Sequence, residues 1–302
     1  MTEGIPRRIA FLGFGLIAGS AARAIATRVP RDVRPLLVAW SPSNAGPAAA
    51  VLDGVLDIAA GDPATALDGA DLIVLAAPPL ETIQFLGALG DALGPSLAPD
   101  AVVTDVASTK ARVVDAADRA GVRFVGGHPM AGRDLSGYAS SQGDLFVDRP
   151  WVLVPGAAAD DTAIHRVAWL VGACGARPVV MDAAAHDRAA AAVSHLPLVL
   201  AAALVEAVAG GETEQPGWPV AASLAASGWR DMTRLARGDV RMGAGIAATN
   251  SAALLPALRD LRTALDGWIR DLERDGGPDA GSLERRLRAV RERLERTPWP
   301  GG

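Results

Sequence analysis

Residues 9–20, Ile-Ala-Phe-Leu-Gly-Phe-Gly-Leu-Ile-Ala-Gly-Ser, constrain the fold more than any other stretch of the chain. A short apolar run is followed at once by a Gly-x-Gly turn and then by a helical pattern. In that strand-turn-helix setting Gly13 permits the tight turn, Gly15 lets the backbone approach a pyrophosphate, and Ala18 is small enough for close helix-to-strand packing. Leu16 and Ile17 open the helix, whose free N–H groups and positive dipole end suit phosphates. The stretch predicts the first crossover unit of a dinucleotide-binding sheet.

The same alternation continues. Apolar runs at Leu36–Trp40, Leu72–Ala76, Ala101–Thr104, Arg123–Val125, Trp151–Val154 and Pro178–Met181 alternate with helical patterns at Ala18–Arg28, Leu80–Leu93, Lys110–Ala120 and Asp161–Cys174. This is the signature of a parallel sheet with crossover helices. After Asp182 no strand is predicted. Ala183–Gly210, Val220–Arg237, Asn250–Asp275 and Ser282–Arg296 read as helices between Gly/Pro breaks. The expectation is an α/β dinucleotide-binding domain over residues 1–182 and an all-α domain over 183–302. The apolar residues of Ala189–Ala209 and Leu254–Leu272 exceed what one thin helical layer covers, which predicts a homodimer through the helical half.

Composition narrows the function classes. The chain has 302 residues, 50% hydrophobic and 21% charged, which excludes intrinsic disorder. A net charge of −5 with scattered basic residues argues against a nucleic-acid partner. One cysteine, Cys174, forms no internal disulfide, no spacing suggests a metal site, and a reducing cytoplasm fits best. Arg7-Arg8 before an apolar run mimics a signal peptide, but the sheet reading explains its glycines. Ala189–Ala209 is long enough for a membrane helix, yet it holds His195, Pro197 and Glu206, so a buried helix in a soluble protein and no membrane partner are expected.

Cofactor choice is read from the second strand, which usually ends in an acid that holds the ribose hydroxyls of NAD. Here it ends in Ser41-Pro42-Ser43-Asn44. A carboxylate would repel a 2′-phosphate, whereas Ser41 and Ser43 can bond to one, so NADP is preferred, with NAD as the lesser cofactor. Pro78 and Ala107 follow two later strands and are expected to complete the cofactor's contacts. On the same sheet edge come Thr104–Lys110 and Gly126–Gly132, with His128 between glycines and Pro129 at what reads as an irregular strand end. His128 by itself is either a structural histidine or a general base with access to substrate and nicotinamide.

These residues resemble the prephenate/arogenate dehydrogenases of tyrosine biosynthesis. GFGLIAGS, VTDVASTK, GGHPMAG, DLFVDRPWVLVP, VSHLP and ASGWRDMTRLARGD stand in that family's order and approximate spacing over nearly the whole chain. The resemblance implies a Rossmann domain followed by a helical dimerisation domain, and an oxidative decarboxylation driven by aromatisation. Hydride would leave the hydroxyl-bearing carbon of a cyclohexadiene for the nicotinamide while CO2 departs. The family's catalytic histidine falls on His128, its supporting serine on Ser108, its carboxylate-binding arginine on Arg234, and the first histidine of its S-H-L-P-H motif on His195.

Two departures bear on the substrate. Leu198 stands where many prephenate-using members have the second histidine of S-H-L-P-H, and Gly243 stands where they have the Trp of Met-Trp. Similar losses mark NADP-linked arogenate dehydrogenases of the cyanobacterial type. Arg133, where Thr is common, adds a cation that would suit prephenate. The resemblance therefore implies arogenate as substrate, with prephenate as the alternative. A 3-hydroxyacid dehydrogenase or imine reductase would need a lysine in the helical half, which has none. A non-catalytic dinucleotide sensor would have no use for His128, Ser108 and Arg234 together.

Overall fold

The computed structural model describes residues 4–133 and 135–296. Its first half runs β1 (Arg8–Leu12), α1 (Leu16–Arg28), β2 (Leu36–Trp40), α2 (Ala45–Leu52), β3 (Ile58–Ala59), α3 (Pro63–Leu67), β4 (Leu72–Leu75), α4 (Pro79–Gly90), β5 (Val102–Asp105) and α5 (Ala111–Ala120). Then come β6 (Val125–Pro129), β7 (Pro150–Pro155), α6 (Asp161–Ala173) and β8 (Arg177–Val180). Only helices follow: α7 (Ala183–Ala190), α8 (Leu196–Val208), α9 (Trp218–Ser223), α10 (Ser227–Thr233), α11 (Val240–Thr249), α12 (Ser251–Leu272) and α13 (Ala280–Glu295).

Strands β3-β2-β1-β4-β5 form one parallel sheet in that spatial order. The central strand is buried on both faces, with Ile9, Ala10, Phe11 and Leu12 all fully covered, as a parallel strand between two helical layers must be. A parallel bridge from Val103 to Phe124 sets the second sheet, β6-β7-β8, beside β5. Here the structure departs from the all-parallel expectation, because β6 and β7 pair antiparallel. The reason is the connection. Among the described residues, 130–149 hold a 3-10 turn at Tyr138–Ser140 but no helix, and a parallel return requires a crossover.

Gly13 shows why the first turn accepts only glycine. Its φ is +89°, and a Cβ there would stand 2.4 Å from the Ala76 carbonyl oxygen. The packing role read for the third small residue is shared, since Ala18 is buried while Gly19 makes room for Tyr138, 2.8 Å from where its Cβ would be.

The helical half differs from the sequence reading in detail. The 183–210 pattern is interrupted at Ala191–His195 by a π-helical turn just before Pro197, which has no N–H to donate. Ala183–Val208 is, among the described residues, a helical run long and apolar enough to cross a membrane. It was expected to be buried, yet Ala201 is the only buried residue of α8, and Val193 is 69% exposed. One compact unit of the chain ends at Leu254 and a second begins at Leu255. Within the second, Arg286 pairs with Asp271 and lies 4.2 Å over the Trp268 ring. We propose the 182/183 domain boundary on the change from strands to helices alone.

Candidate active site

His128 sits near the carboxyl end of β6, opposite Val152 and one residue before Pro129 closes the strand, and it is still paired in the ladder there. The glycines before it serve close packing. A Cβ at Gly127 would meet the Asp105 carbonyl oxygen at 2.4 Å, and one at Gly126 would meet the Lys110 side chain at 3.0 Å. Lys110, the chain's only lysine, is fully buried and pairs with Asp105. The same carboxylate accepts from the backbone N–H of Ala107 at 2.9 Å and of Gly127 at 3.0 Å. Asp105 thereby ties the end of β5 to the strand that carries His128.

Two groups missed in the sequence stand next to His128. His186 Nε2 lies 2.8 Å from His128 Nδ1, and His186 Nδ1 lies 2.8 Å from Asp187 Oδ1. Asp187 also caps α5, accepting from Lys110 N at 2.7 Å and Ala111 N at 2.8 Å. Burial pushes the Asp187 carboxyl up, but the His186 hydrogen bond and those two N–H groups outweigh it and hold the carboxyl below the usual carboxylate range. Burial, reinforced by His186, Lys110 and His195, holds the His128 imidazole well below 6.5. His128 is therefore neutral at physiological pH, as a general base must be.

His195 occupies the end of the π-helical turn and is fully buried. Its Nδ1 lies 2.9 Å from Asn250 Nδ2, a donor, so Nδ1 accepts and Nε2 carries the proton. Burial, partly opposed by Asp187, pulls this imidazole down to about 4. Asn250 also donates to the Asp187 carbonyl at 2.9 Å, and Thr109 shares a 2.8 Å hydrogen bond with Thr249. These contacts lock the loop after β5 to α7 and to the end of α11. Seven buried side-chain polar atoms among the described residues lack a hydrogen-bond partner, and Ser108 Oγ and His195 Nε2 are two of them. Such orphans are uncommon in a folded protein, and a substrate group is one partner that these two can accept.

The dinucleotide turn fits a nucleotide. Gly15 caps α1 with no side-chain hydrogen bond, which leaves the first N–H groups of the helix, those of Leu16 and Ile17 among them, without an intrahelical partner. Ser41 and Ser43 lie in the loop at the carboxyl end of β2, Ser43 exposed and Ser41 half-buried. Pro78 precedes α4 at the end of β4, and Ala107 is buried beside β5. All these ends lie on one sheet edge, because Leu12 pairs with Trp40 and with Leu75, and Leu75 with Asp105. No cluster of metal-ligating side chains occurs among the described residues.

Arg234 opens the 3-10 turn Arg234–Arg237, which packs against α8, and its side chain is exposed. Arg133 is exposed in the loop after β6, its guanidinium 3.5 Å from the Ser140 carbonyl. The two departures read from the sequence prove to be neighbours. A Cβ on Gly243 would stand 3.8 Å from Leu198 Cδ2.

A family model described as prephenate dehydrogenase, nucleotide-binding domain, matches residues 32–180, and one described as prephenate dehydrogenase, dimerization domain, matches residues 182–287. The prephenate dehydrogenase of Bacillus subtilis is 32% identical over 88% of this chain and 68% of its own length. The cyclohexadienyl dehydrogenase of Zymomonas mobilis is 33% identical over 89% of this chain and 87% of its own. The solved arogenate dehydrogenase of Synechocystis is similar with a TM-score of 0.74 at 31% identity, covering 95% of this chain and 99% of that one.

Proposed function

The chain belongs to the prephenate dehydrogenase family, and from that premise we propose that it converts arogenate to tyrosine by oxidative decarboxylation with NADP. Gly13, Gly15, Leu16, Ile17, Ser41, Ser43, Pro78 and Ala107 would hold the dinucleotide, whose nicotinamide would supply the hydride acceptor. Neutral His128 hydrogen-bonds the ring hydroxyl and takes its proton as carbonyl character develops. Ser108 Oγ and His195 Nε2, both buried and without a side-chain partner, offer further hydrogen bonds to the substrate. Arg234 contributes a guanidinium suited to bidentate carboxylate binding.

The observation that carries the choice of arogenate is the Leu198–Gly243 contact. Prephenate bears an anionic pyruvyl side chain and arogenate a zwitterionic amino acid. An apolar side chain beside a glycine offers neither a donor nor a cation, so it penalises the anion relative to the zwitterion. Prephenate remains the second reading because Arg133 stands in the loop that follows His128. The exposed apolar residues Val193, Val220, Leu224 and Val240, and separately Leu265, Ile269, Leu287 and Val290, support a homodimer. Incubation with arogenate and NADP, followed by amino-acid analysis, tests the reaction. Tyrosine and reduced cofactor should form in equal amounts; failure to convert either arogenate or prephenate would refute it.

A further inference from the structure

The base assigned above must present a bare ring nitrogen, and the groups behind it determine which nitrogen that is. Asp187 is 3% exposed and accepts from two backbone N–H groups at the start of α5. Such a carboxylate stays ionised and acts only as an acceptor. His186 Nδ1, 2.8 Å from it, must therefore carry a proton. A neutral His186 then has an unprotonated Nε2, which faces His128 Nδ1 at 2.8 Å. That contact is a hydrogen bond only if His128 Nδ1 is the donor.

We propose that His186, backed by Asp187, is a positioning residue that holds His128 as its Nδ1–H tautomer and leaves Nε2 as the bare nitrogen. Neither residue needs to touch the substrate. Asp187 anchors the chain of contacts because it is fixed to the backbone of α5, and His186 passes that orientation across 58 residues of sequence to β6. His195 has the opposite form, with Nε2 protonated through Asn250. The site thus holds one histidine as acceptor and one as donor.

The proposal rests on His128 being the base of the reaction proposed above, but its first test does not. With only four histidines in the chain, nitrogen-15 labelling resolves each imidazole. His128 in the unmodified protein should show the Nδ1–H tautomer. A dominant Nε2–H form, or a doubly protonated His186 at neutral pH, would overturn the proposal whatever the activity. The second test is kinetic. His186→Leu removes the acceptor and should lower kcat roughly 10- to 100-fold, as loss of a supporting hydrogen-bond partner commonly does, while the KM for NADP stays unchanged. His186→Gln, whose amide oxygen can accept from Nδ1, should restore much of kcat. Equal kcat in the wild type and His186→Leu, or equal losses in Leu and Gln, would show that His186 only packs. If no variant and no wild type turns over either substrate while the tautomer is as stated, it is the assigned reaction that fails.

Discussion

Leu198 and Gly243 are neighbours in space, although 45 positions separate them: a Cβ on the glycine would stand 3.8 Å from Leu198 Cδ2. The two departures read from the sequence are therefore one place in three dimensions. A histidine at 198 and a tryptophan at 243 would contact each other, so the losses act together. Arogenate should have the higher kcat/KM by about 5- to 150-fold, the effect of about 1–3 kcal/mol for an unpaired buried polar group. Leu198→His combined with Gly243→Trp should raise prephenate use more than the two single changes together. Additive effects would show that the contact does not couple them.

Cofactor preference follows from the loop after β2. Ser41→Asp places a carboxylate where the 2′-phosphate of NADP would lie, so the variant should favour NAD. Equal use of NAD and NADP by the unmodified enzyme would contradict the reading.

His128→Asn should lower turnover by about 10²- to 10⁴-fold, the usual contribution of general acid–base catalysis. Cofactor affinity, measured by fluorescence titration, should change little because the phosphate-binding turn is on a different strand. A loss of only a few-fold would make His128 a structural residue.

Acid should destabilise the protein through His195. Unfolded, this histidine has a pKa near 6.5; folded, it is pulled down to about 4. Between those values the unfolded state binds more protons, so stability falls as pH drops from about 6.5 towards 4. At about 1.4 kcal/mol per unit the loss is on the order of 3 kcal/mol. Urea midpoints between pH 7.5 and 4.5 should fall accordingly, and His195→Gln should reduce the slope, with His128, whose imidazole burial also holds low, supplying part of the remainder. An unchanged slope in that variant would remove His195 as the cause.

Much of the sheet was legible because its strands are short apolar runs between glycines and prolines, and the Gly13 turn announces its own conformation. What escaped was short or non-local. β3 has two residues, too few to show a period, and the alanine-rich α2 has no clear polar face. The strand β7 was read at Trp151–Val154, but its antiparallel direction was not, because pairing direction depends on the connection and not on the strand. In the candidate site, His128, Ser108 and His195 were read from motifs. His186, Asp187 and Asn250 were not, since their contacts span 55 to 77 residues and carry no spacing signal. The adjacent His-Asp pair at 186–187 was the one available clue, but neighbours in a helix point to different faces and seldom act together.

The most direct test crosses both substrates with both cofactors, following reduced nicotinamide and reporting kcat/KM for each pair. Arogenate with NADP should give the highest value. Prephenate with NAD as the best pair would contradict both specificity assignments, and no reduction with any pair would contradict the reaction itself.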